Sequence, residues 1–316
     1  MNRLAAFARH PAVRASFAAV ALGLASWAIA SDWRAVRAAL EGVGWWATAL
    51  AAGASVAYVL ATLESWRAVM RAVAAPLPWG AGARIFLVSQ VGKYIPGGVW
   101  NVVAGAELAR DRGISRARTA TALAVTMLIS ILTGLALAGI AAAVAPHGWP
   151  WWVRLAGLLT PLALAAASPR VLTRIVNAAS RRMRLTPLER PLTWAGSGAA
   201  AGWGAAAWVL AGLQVWVIAV ALGLPATAGT VALAIGGFAA AWLVGFAVLV
   251  LPSGLGAREL VLFPVFGAYL ANPQIVALAL VSRVLFTVAD IVLAAVPMLW
   301  RETKRGAEPP RAAASD

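Results

Sequence analysis

Long apolar runs, each about the length of a membrane-spanning helix, dominate this chain of 316 residues. A helix needs roughly 20 apolar residues to cross the hydrocarbon core of a bilayer, and runs of that kind recur from residue 13 to residue 299. Charged residues make up only 12% of the chain, which is about half of their share in a soluble domain. The chain is therefore predicted to be an all-α polytopic membrane protein whose solvent is largely lipid.

Eight spans are predicted from these runs. By residue number they are 13–30, 44–64, 119–145, 151–167, 198–222, 230–251, 255–271 and 274–299. The first run follows a basic start and ends in a cleavage-like Ala28-Ile29-Ala30, so a signal peptide is the alternative there. The run is longer than the apolar core of a typical signal peptide, and we expect a retained helix.

Lysine and arginine lie mainly in short segments between the apolar runs, a pattern that sets orientation in the membrane. The formal charge of +15 comes with no RNA-reading motif or basic face, so we expect no nucleic-acid partner. Placing every basic cluster on one side predicts a bacterial cytoplasmic (inner) membrane protein with both termini cytoplasmic. The predicted parts are a first membrane half (1–167), an Arg-rich cytoplasmic loop (168–195), a second membrane half (196–300) and a disordered basic cytoplasmic tail (301–316).

Residues 85–109 are predicted to enter the membrane and return on the same side. The basic residues that flank them, Arg84 and Arg110, both belong on the cytoplasmic side under this orientation. About 25 residues are too few for two helices of 20 residues each. A re-entrant helical hairpin fits this length, with its bend at Pro96-Gly97-Gly98.

The two halves of the chain resemble each other at an offset of 156 residues. Pro96 then falls on Pro252 and Gly98 on Gly254. Each half has two spans, an apolar segment ending in Pro-x-Gly, a short segment and a long helix, and the charges orient the halves oppositely. An inverted-topology repeat is predicted, which in transporters brings paired broken helices together near the midplane. Duplication for packing alone is the alternative.

The first broken segment is a candidate binding site for a phosphate group. Proline and glycine break the helix, and broken backbone at membrane depth needs surrounding protein or a water-filled cavity. The freed N–H groups and the charge of Lys93 would attract an anion. A kink with Lys93 reaching the membrane surface is the alternative. The candidate residues here are Lys93, Tyr94, Pro96, Gly97, Gly98 and Asn101.

The second broken segment has a similar composition. Arg258 could bind a phosphate through two hydrogen bonds, while Glu259 could balance its charge or meet an amine. An ordinary cytoplasmic loop whose arginine stops membrane transfer is the alternative. The candidate residues here are Pro252, Ser253, Gly254, Arg258 and Glu259.

Arg283 and Asp290 are charged residues inside the last apolar run. Seven residues separate them, which places them on one helix face about 10 Å apart, too far for direct contact unless the arginine reaches along the helix. Charged residues inside a membrane span are candidates for function by default. A structural polar pair that holds helices together is the alternative.

The sequence contains no feature that predicts catalysis or a cofactor. It has no cysteine and two histidines, which argues against thiolate chemistry and histidine-based metal or catalytic sites. There is no nucleotide-binding motif and no convincing acid–base pair, so an integral-membrane lipid transferase is disfavoured. We expect a protein without a metal or cofactor that is not an enzyme.

The string from Gln90 to Trp100, together with Pro252 to Glu259, resembles the membrane domain of lysylphosphatidylglycerol synthase/flippase proteins. The resemblance covers nearly the whole chain. It implies a lipid-translocating domain, which in the full-length proteins flips aminoacylated phosphatidylglycerol. Motif positions implied by the resemblance are Lys93, Pro96, Gly97, Gly98, Arg258 and Glu259.

The soluble domain that transfers the amino acid is absent from these 316 residues, so we expect no synthesis of lysyl-phosphatidylglycerol by this chain alone. The expected function is a flippase for a phosphate-bearing lipid, which could be an aminoacylated phospholipid or a polyprenyl-linked one. The alternative is a non-transporting membrane partner that recruits a soluble synthase or glycosyltransferase through the Arg-rich loop.

Overall fold

The computed structural model describes residues 33–73, 76–94, 100–144, 157–182, 188, 191–247 and 256–299. These residues form eleven α-helices and no strand. The helices are α1 (Trp33–Gly42), α2 (Gly44–Val73), α3 (Trp79–Gln90), α4 (Trp100–Arg110), α5 (Arg116–Val144), α6 (Thr160–Ala166), α7 (Pro169–Arg182), α8 (Trp194–Ala221), α9 (Ala228–Ala247), α10 (Ala257–Phe266) and α11 (Asn272–Leu299). A 3₁₀ turn, Val91–Tyr94, directly follows α3.

Five of these helices are long and apolar enough to cross a membrane, namely α2, α5, α8, α9 and α11. They correspond to five of the eight predicted spans. The first predicted span, 13–30, lies outside the described residues.

Two further predicted spans, 151–167 and 255–271, are not long helices in the described residues. The first contains α6, which has seven residues and begins at Thr160; residues 151–156 lie outside the described part of the chain. The second contains α10, which has ten residues and begins after Gly256 at a φ of 83°. That φ favours glycine, and the helix ends at Phe266, five residues before the end of the predicted span.

Helices α2 and α8 pack against each other along their length. The buried residues Ala47, Ala51 and Ser55 of α2 recur every four residues and so share one face. Small residues of this kind allow membrane helices to approach closely. The hydroxyl of Ser65 on α2 also donates a hydrogen bond to the carbonyl of Ala200 on α8, at 2.8 Å.

Two helices of the first half have nearly the same bounds as two helices of the second half when shifted along the chain. Shifted by 156 residues, α4 falls on residues 256–266 and α5 on residues 272–300, close to the observed bounds of α10 and α11. The halves also exchange helices, in the sense that the long helix following each broken segment packs on the opposite half. Helix α5 packs on α8 and α9 of the second half, while α11 packs on α2 and α3 of the first. The contacts made by α5 and α11 are therefore reciprocal.

The 3₁₀ turn lies between α4 and α11, with which it is in contact. A Cβ atom added at Gly92 would lie 2.6 Å from the backbone nitrogen of Asn101, so only glycine allows the turn to sit this close to the start of α4. Helices α3 and α4 pack on each other, and α3 also packs on α11. These contacts hold Lys93 and Tyr94 at the surface of α11.

The predicted Arg-rich loop contains a helix, α7. Its Leu172 and Val176 are buried, whereas its arginines are exposed. The side chain of Asn177 accepts a hydrogen bond from the backbone N–H of Leu188 at 2.8 Å, and Thr173 accepts one from Leu192 at 3.0 Å. These bonds fix α7 against the segment that leads into α8.

Candidate functional site

Asp290, in the middle of α11, meets the first broken segment. Its side chain is 1% exposed, and its Oδ2 atom lies 2.7 Å from Nζ of Lys93. The Tyr94 hydroxyl donates a hydrogen bond to the same oxygen at 2.6 Å. A buried carboxylate needs such partners, because removing an ion from water is costly unless it is paired.

Arg283, two turns earlier on α11, meets the second broken segment. Its Nη1 atom donates a hydrogen bond to Oε1 of Glu259 at 2.7 Å. Glu259 lies in the first turn of α10, which begins directly after Gly256 with its positive φ. Each of the two charges in α11 therefore pairs with a different broken segment.

Arg258 is half-buried beside this pair, and its guanidinium carbon lies 4.9 Å from the centroid of the Phe238 ring on α9. This is a cation–π contact. Within the described part of the chain Arg258 makes no hydrogen bond or ion pair to a carboxylate. The Arg258 and Glu259 side chains line a narrow cleft between α9, α10 and α11, together with Arg283, Ser282 and Phe238.

Aromatic rings connect the two ion pairs. The Tyr58 ring of α2 meets Phe286 of α11 edge-on, with centroids 5.0 Å apart, and Phe286 lies 5.5 Å from Phe238. The polar groups of the two broken segments thus lie along one continuous region of α11.

A buried hydrogen-bonded pair fastens α11 to α8 at the level of the cleft. The hydroxyl of Ser282 donates to Oε1 of Gln214 at 2.9 Å, and Gln214 donates back to the Ser282 carbonyl at 3.3 Å. Both residues are almost fully buried. Buried polar groups of this kind restrict a helix to one register because each would be costly to leave unpaired.

The structure brings six of the predicted site residues into two groups. Lys93, Tyr94 and Asp290 form the first group, and Arg258, Glu259 and Arg283 form the second. Asn101 packs against Gly92 and belongs to neither group. The remaining predicted residues, Pro96, Gly97, Gly98, Pro252, Ser253 and Gly254, lie outside the described residues.

Sequence reasoning missed Tyr58, Gln214, Phe238 and Ser282. Gln214 is an isolated amide inside an apolar run, and that contrast could have identified it. Phe238 offered no such signal, since an aromatic residue in a membrane span is usually a packing residue. Among the described residues, no group of three or more histidine, cysteine or acidic side chains could hold a metal ion.

The family described as the lysylphosphatidylglycerol synthase TM region matches residues 14–294 of the chain. The match includes both broken segments and the two charged positions of α11. No curated protein matches the chain at a significant level.

Proposed function

Because the chain belongs to the lysylphosphatidylglycerol synthase transmembrane family, we propose that it is a lipid flippase. It would move a phosphate-bearing lipid, of which aminoacylated and polyprenyl-linked lipids are examples, across the bacterial cytoplasmic membrane, by transport and not by catalysis. One observation carries the proposal: Lys93 and Glu259, which belong to different broken segments, both pair with α11.

In this mechanism the lipid headgroup enters the polar region beside α11 while the acyl chains stay in the bilayer. Its phosphate lies near the breaks at Pro96 and Pro252, where Lys93 and Arg258 compensate its charge. Since Lys93 is paired with Asp290 in this conformation, a phosphate that binds Lys93 must replace that carboxylate. Movement of the two halves would then expose the headgroup first to one side of the membrane and then to the other.

The topology we propose has eight spans, a re-entrant hairpin at residues 85–109 and cytoplasmic termini. The two halves form an inverted repeat. Two features of the helices support this arrangement: the bounds of α5 and α11 nearly coincide at an offset of 156 residues, and each of these helices packs on helices of the opposite half. A repeat of this kind suits a transporter because one fold can open equally to either face.

The test is movement of fluorescently labelled lipid across the bilayer of proteoliposomes that contain the purified chain. We expect faster movement than in protein-free liposomes, and loss of that gain in a variant that combines Lys93→Ala with Arg258→Ala. A variant with Arg71→Ala, an exposed arginine at the end of α2, serves as the control. Unchanged lipid movement in the double variant would rule out the mechanism.

The second candidate function is that of a non-transporting partner that recruits a soluble synthase or glycosyltransferase. The exposed arginines of α7 favour it, because they form a fixed basic surface. These residues are Arg170, Arg174, Arg181 and Arg182. Here replacing the four arginines by glutamine would abolish recovery of a defined partner enzyme, while Lys93→Ala would leave recovery intact. Partner recovery that survives the four arginine substitutions but is lost in Lys93→Ala would exclude this function.

A further inference from the structure

The two oxygens of the buried Asp290 carboxylate have different surroundings. Oδ2 meets both Nζ of Lys93, at 2.7 Å, and the hydroxyl of Tyr94, at 2.6 Å. Oδ1 is also buried but accepts no hydrogen bond from the described residues. A buried acceptor without a donor is costly, so Oδ1 is the atom of this group that is open to a further ligand.

Other titratable groups on the elements packed against α11 do not take the place of Lys93. Tyr58 of α2 packs edge-on against α11 one turn before Asp290, but a phenol carries no charge near neutral pH. Arg84 of α3 and Arg258 of α10 are further cations on these elements, yet Lys93 is the one cation among the described residues that pairs with Asp290. The other charged groups form pairs of their own, namely Arg37 with Glu41 on α1, Arg67 with Glu64 on α2, and Arg283 with Glu259.

A phosphate that binds Lys93 deprives Asp290 of this cation. In the proposed mechanism the phosphate replaces the carboxylate at the Lys93 ammonium group, which is one-third exposed, while the Asp290 side chain is 1% exposed. A buried charge that loses its partner is costly, and a carboxylate in that position becomes neutral by binding a proton. Oδ1 can accept the proton while Oδ2 keeps the hydrogen bond from Tyr94.

We propose that Asp290 is a proton-binding site that couples lipid movement to the movement of one proton in the same direction. The proton comes from the aqueous side to which the headgroup is exposed and forms an O–H bond with Asp290. It leaves on the other side when the phosphate departs and Lys93, which stays an ammonium group throughout, pairs with Asp290 again. This inference rests on the proposed transport function.

The inference concerns lipids whose phosphate is their only charged group. An aminoacylated headgroup brings an ammonium group of its own, which can pair with Asp290 in place of the proton. A metal ion suits the site less well than a proton, because it binds several oxygen ligands. Among the described residues, no group of three or more acidic or histidine side chains is present to supply them.

One singly charged anionic lipid and one proton carry no net charge across the membrane in a complete cycle. A pH gradient should therefore drive the lipid toward the alkaline side, and a membrane potential alone should not drive it. An anionic lipid that moved without a proton would behave in the reverse way, since the potential would draw it to the positive side.

The test uses proteoliposomes that contain the purified chain and a trace of phosphatidylglycerol labelled on an acyl chain. This probe is chosen because its phosphodiester does not titrate near neutral pH. With a pH gradient of about one unit and the potential clamped at zero, we expect about tenfold enrichment of the probe in the leaflet that faces the alkaline compartment. A potential without a pH gradient should give no enrichment, and protein-free liposomes give the background.

Asp290→Asn should abolish the enrichment by the pH gradient and make the remaining lipid movement respond to the potential, because the proton site is lost. Asp111→Asn, at an exposed aspartate, is the matched control and should keep the response of the unmodified chain. If Asp290→Asn fails to fold, the response of the unmodified chain to the two gradients still decides the matter.

The outcomes separate this inference from the transport function on which it rests. Lipid movement that is accelerated by the chain but not biased by the pH gradient, or that is biased by the potential or by a sodium gradient, would overturn the proton coupling alone. If no lipid moves, the transport function is overturned. Proton uptake when the probe binds, measured with a pH indicator in weakly buffered detergent solution, then decides whether Asp290 binds a proton: about one proton per lipid supports the site, and none refutes it.

Discussion

The carboxylate of Asp290 uses one of its oxygens for both of its partners. Lys93 and Tyr94 both reach Oδ2, whereas Oδ1 is buried and accepts no hydrogen bond within the described part of the chain. An arrangement of this kind holds the turn against α11 without satisfying the carboxylate fully. The pair can therefore exchange for another anion at a lower cost than a fully satisfied one.

Replacing Asp290 by asparagine should destabilise the fold by about 2 kcal/mol, since it leaves Lys93 without its carboxylate partner. The value is below that of a fully buried pair because Lys93 is one-third exposed. Adding Lys93→Met should recover more than half of the loss, because it removes the cation whose counterion is gone. The free energy of unfolding in bicelles measures both effects.

Asp111→Asn is the matched control for that measurement. Asp111 is 69% exposed and lies 3.7 Å from Arg110, so its loss should change stability by less than about 0.5 kcal/mol. Equal effects at the two aspartates would show that the pair between Lys93 and Asp290 does not hold the fold together.

The sequence identified Lys93, Arg258, Arg283 and Asp290 because each is a charge within or beside an apolar run. It could not assign their partners. Tyr94 and Asp290 are 196 residues apart, and only the packing of helices decides which distant residues meet. The cation–π contact of Arg258 depends in the same way on where α9 lies.

At the scale of helices, close packing around α9 depends on glycine. A Cβ atom added at Gly212 of α8 would overlap the Cα atom of Ile235 on α9. A similar addition at Gly236 of α9 would overlap Cβ of Ala141 on α5. These three helices can approach closely only because the glycines leave space for the neighbouring chain.

Gly212→Ala should therefore force α8 and α9 apart and destabilise the protein by about 1–3 kcal/mol. Gly202→Ala on the same helix is the control, since a Cβ atom there would meet nothing within 4 Å. That change should be neutral or stabilising by roughly 0.5–1 kcal/mol, because alanine favours a helix over glycine. Unfolding of both variants under identical conditions makes the comparison, and similar effects would contradict the proposed contact.

Helix prediction succeeded where apolar runs were long and uninterrupted. The five long helices follow those runs to within a few residues, except α2, which continues to Val73. It did not predict that α10 holds only ten residues and ends at Phe266, inside the predicted span 255–271. Hydropathy alone does not register where a helix ends within an apolar stretch.

For the whole molecule, the main feature is the exchange of α5 and α11 between the halves. Helix α11 packs on α2 and α3 of the first half, and through Lys93 and Glu259 it contacts both broken segments. The offset of 156 residues predicted the order of the helices but not this exchange, because sequence similarity does not specify which half a helix packs against. The exchange makes α11 the element through which the two breaks can influence each other.

The most direct test of this account is a double-mutant cycle on the rate of lipid movement in proteoliposomes. Asp290→Asn weakens the contact of α11 with the first break, and Arg283→Gln weakens its contact with the second. The two positions are about 10 Å apart along the helix, a separation at which independent sites usually show additive effects.

If α11 couples the two breaks, each single variant should slow lipid movement, and the double variant should be about as slow as the slower single one. If the logarithms of the two effects simply add, or if neither variant slows movement, the two breaks do not act through α11 and the account is contradicted.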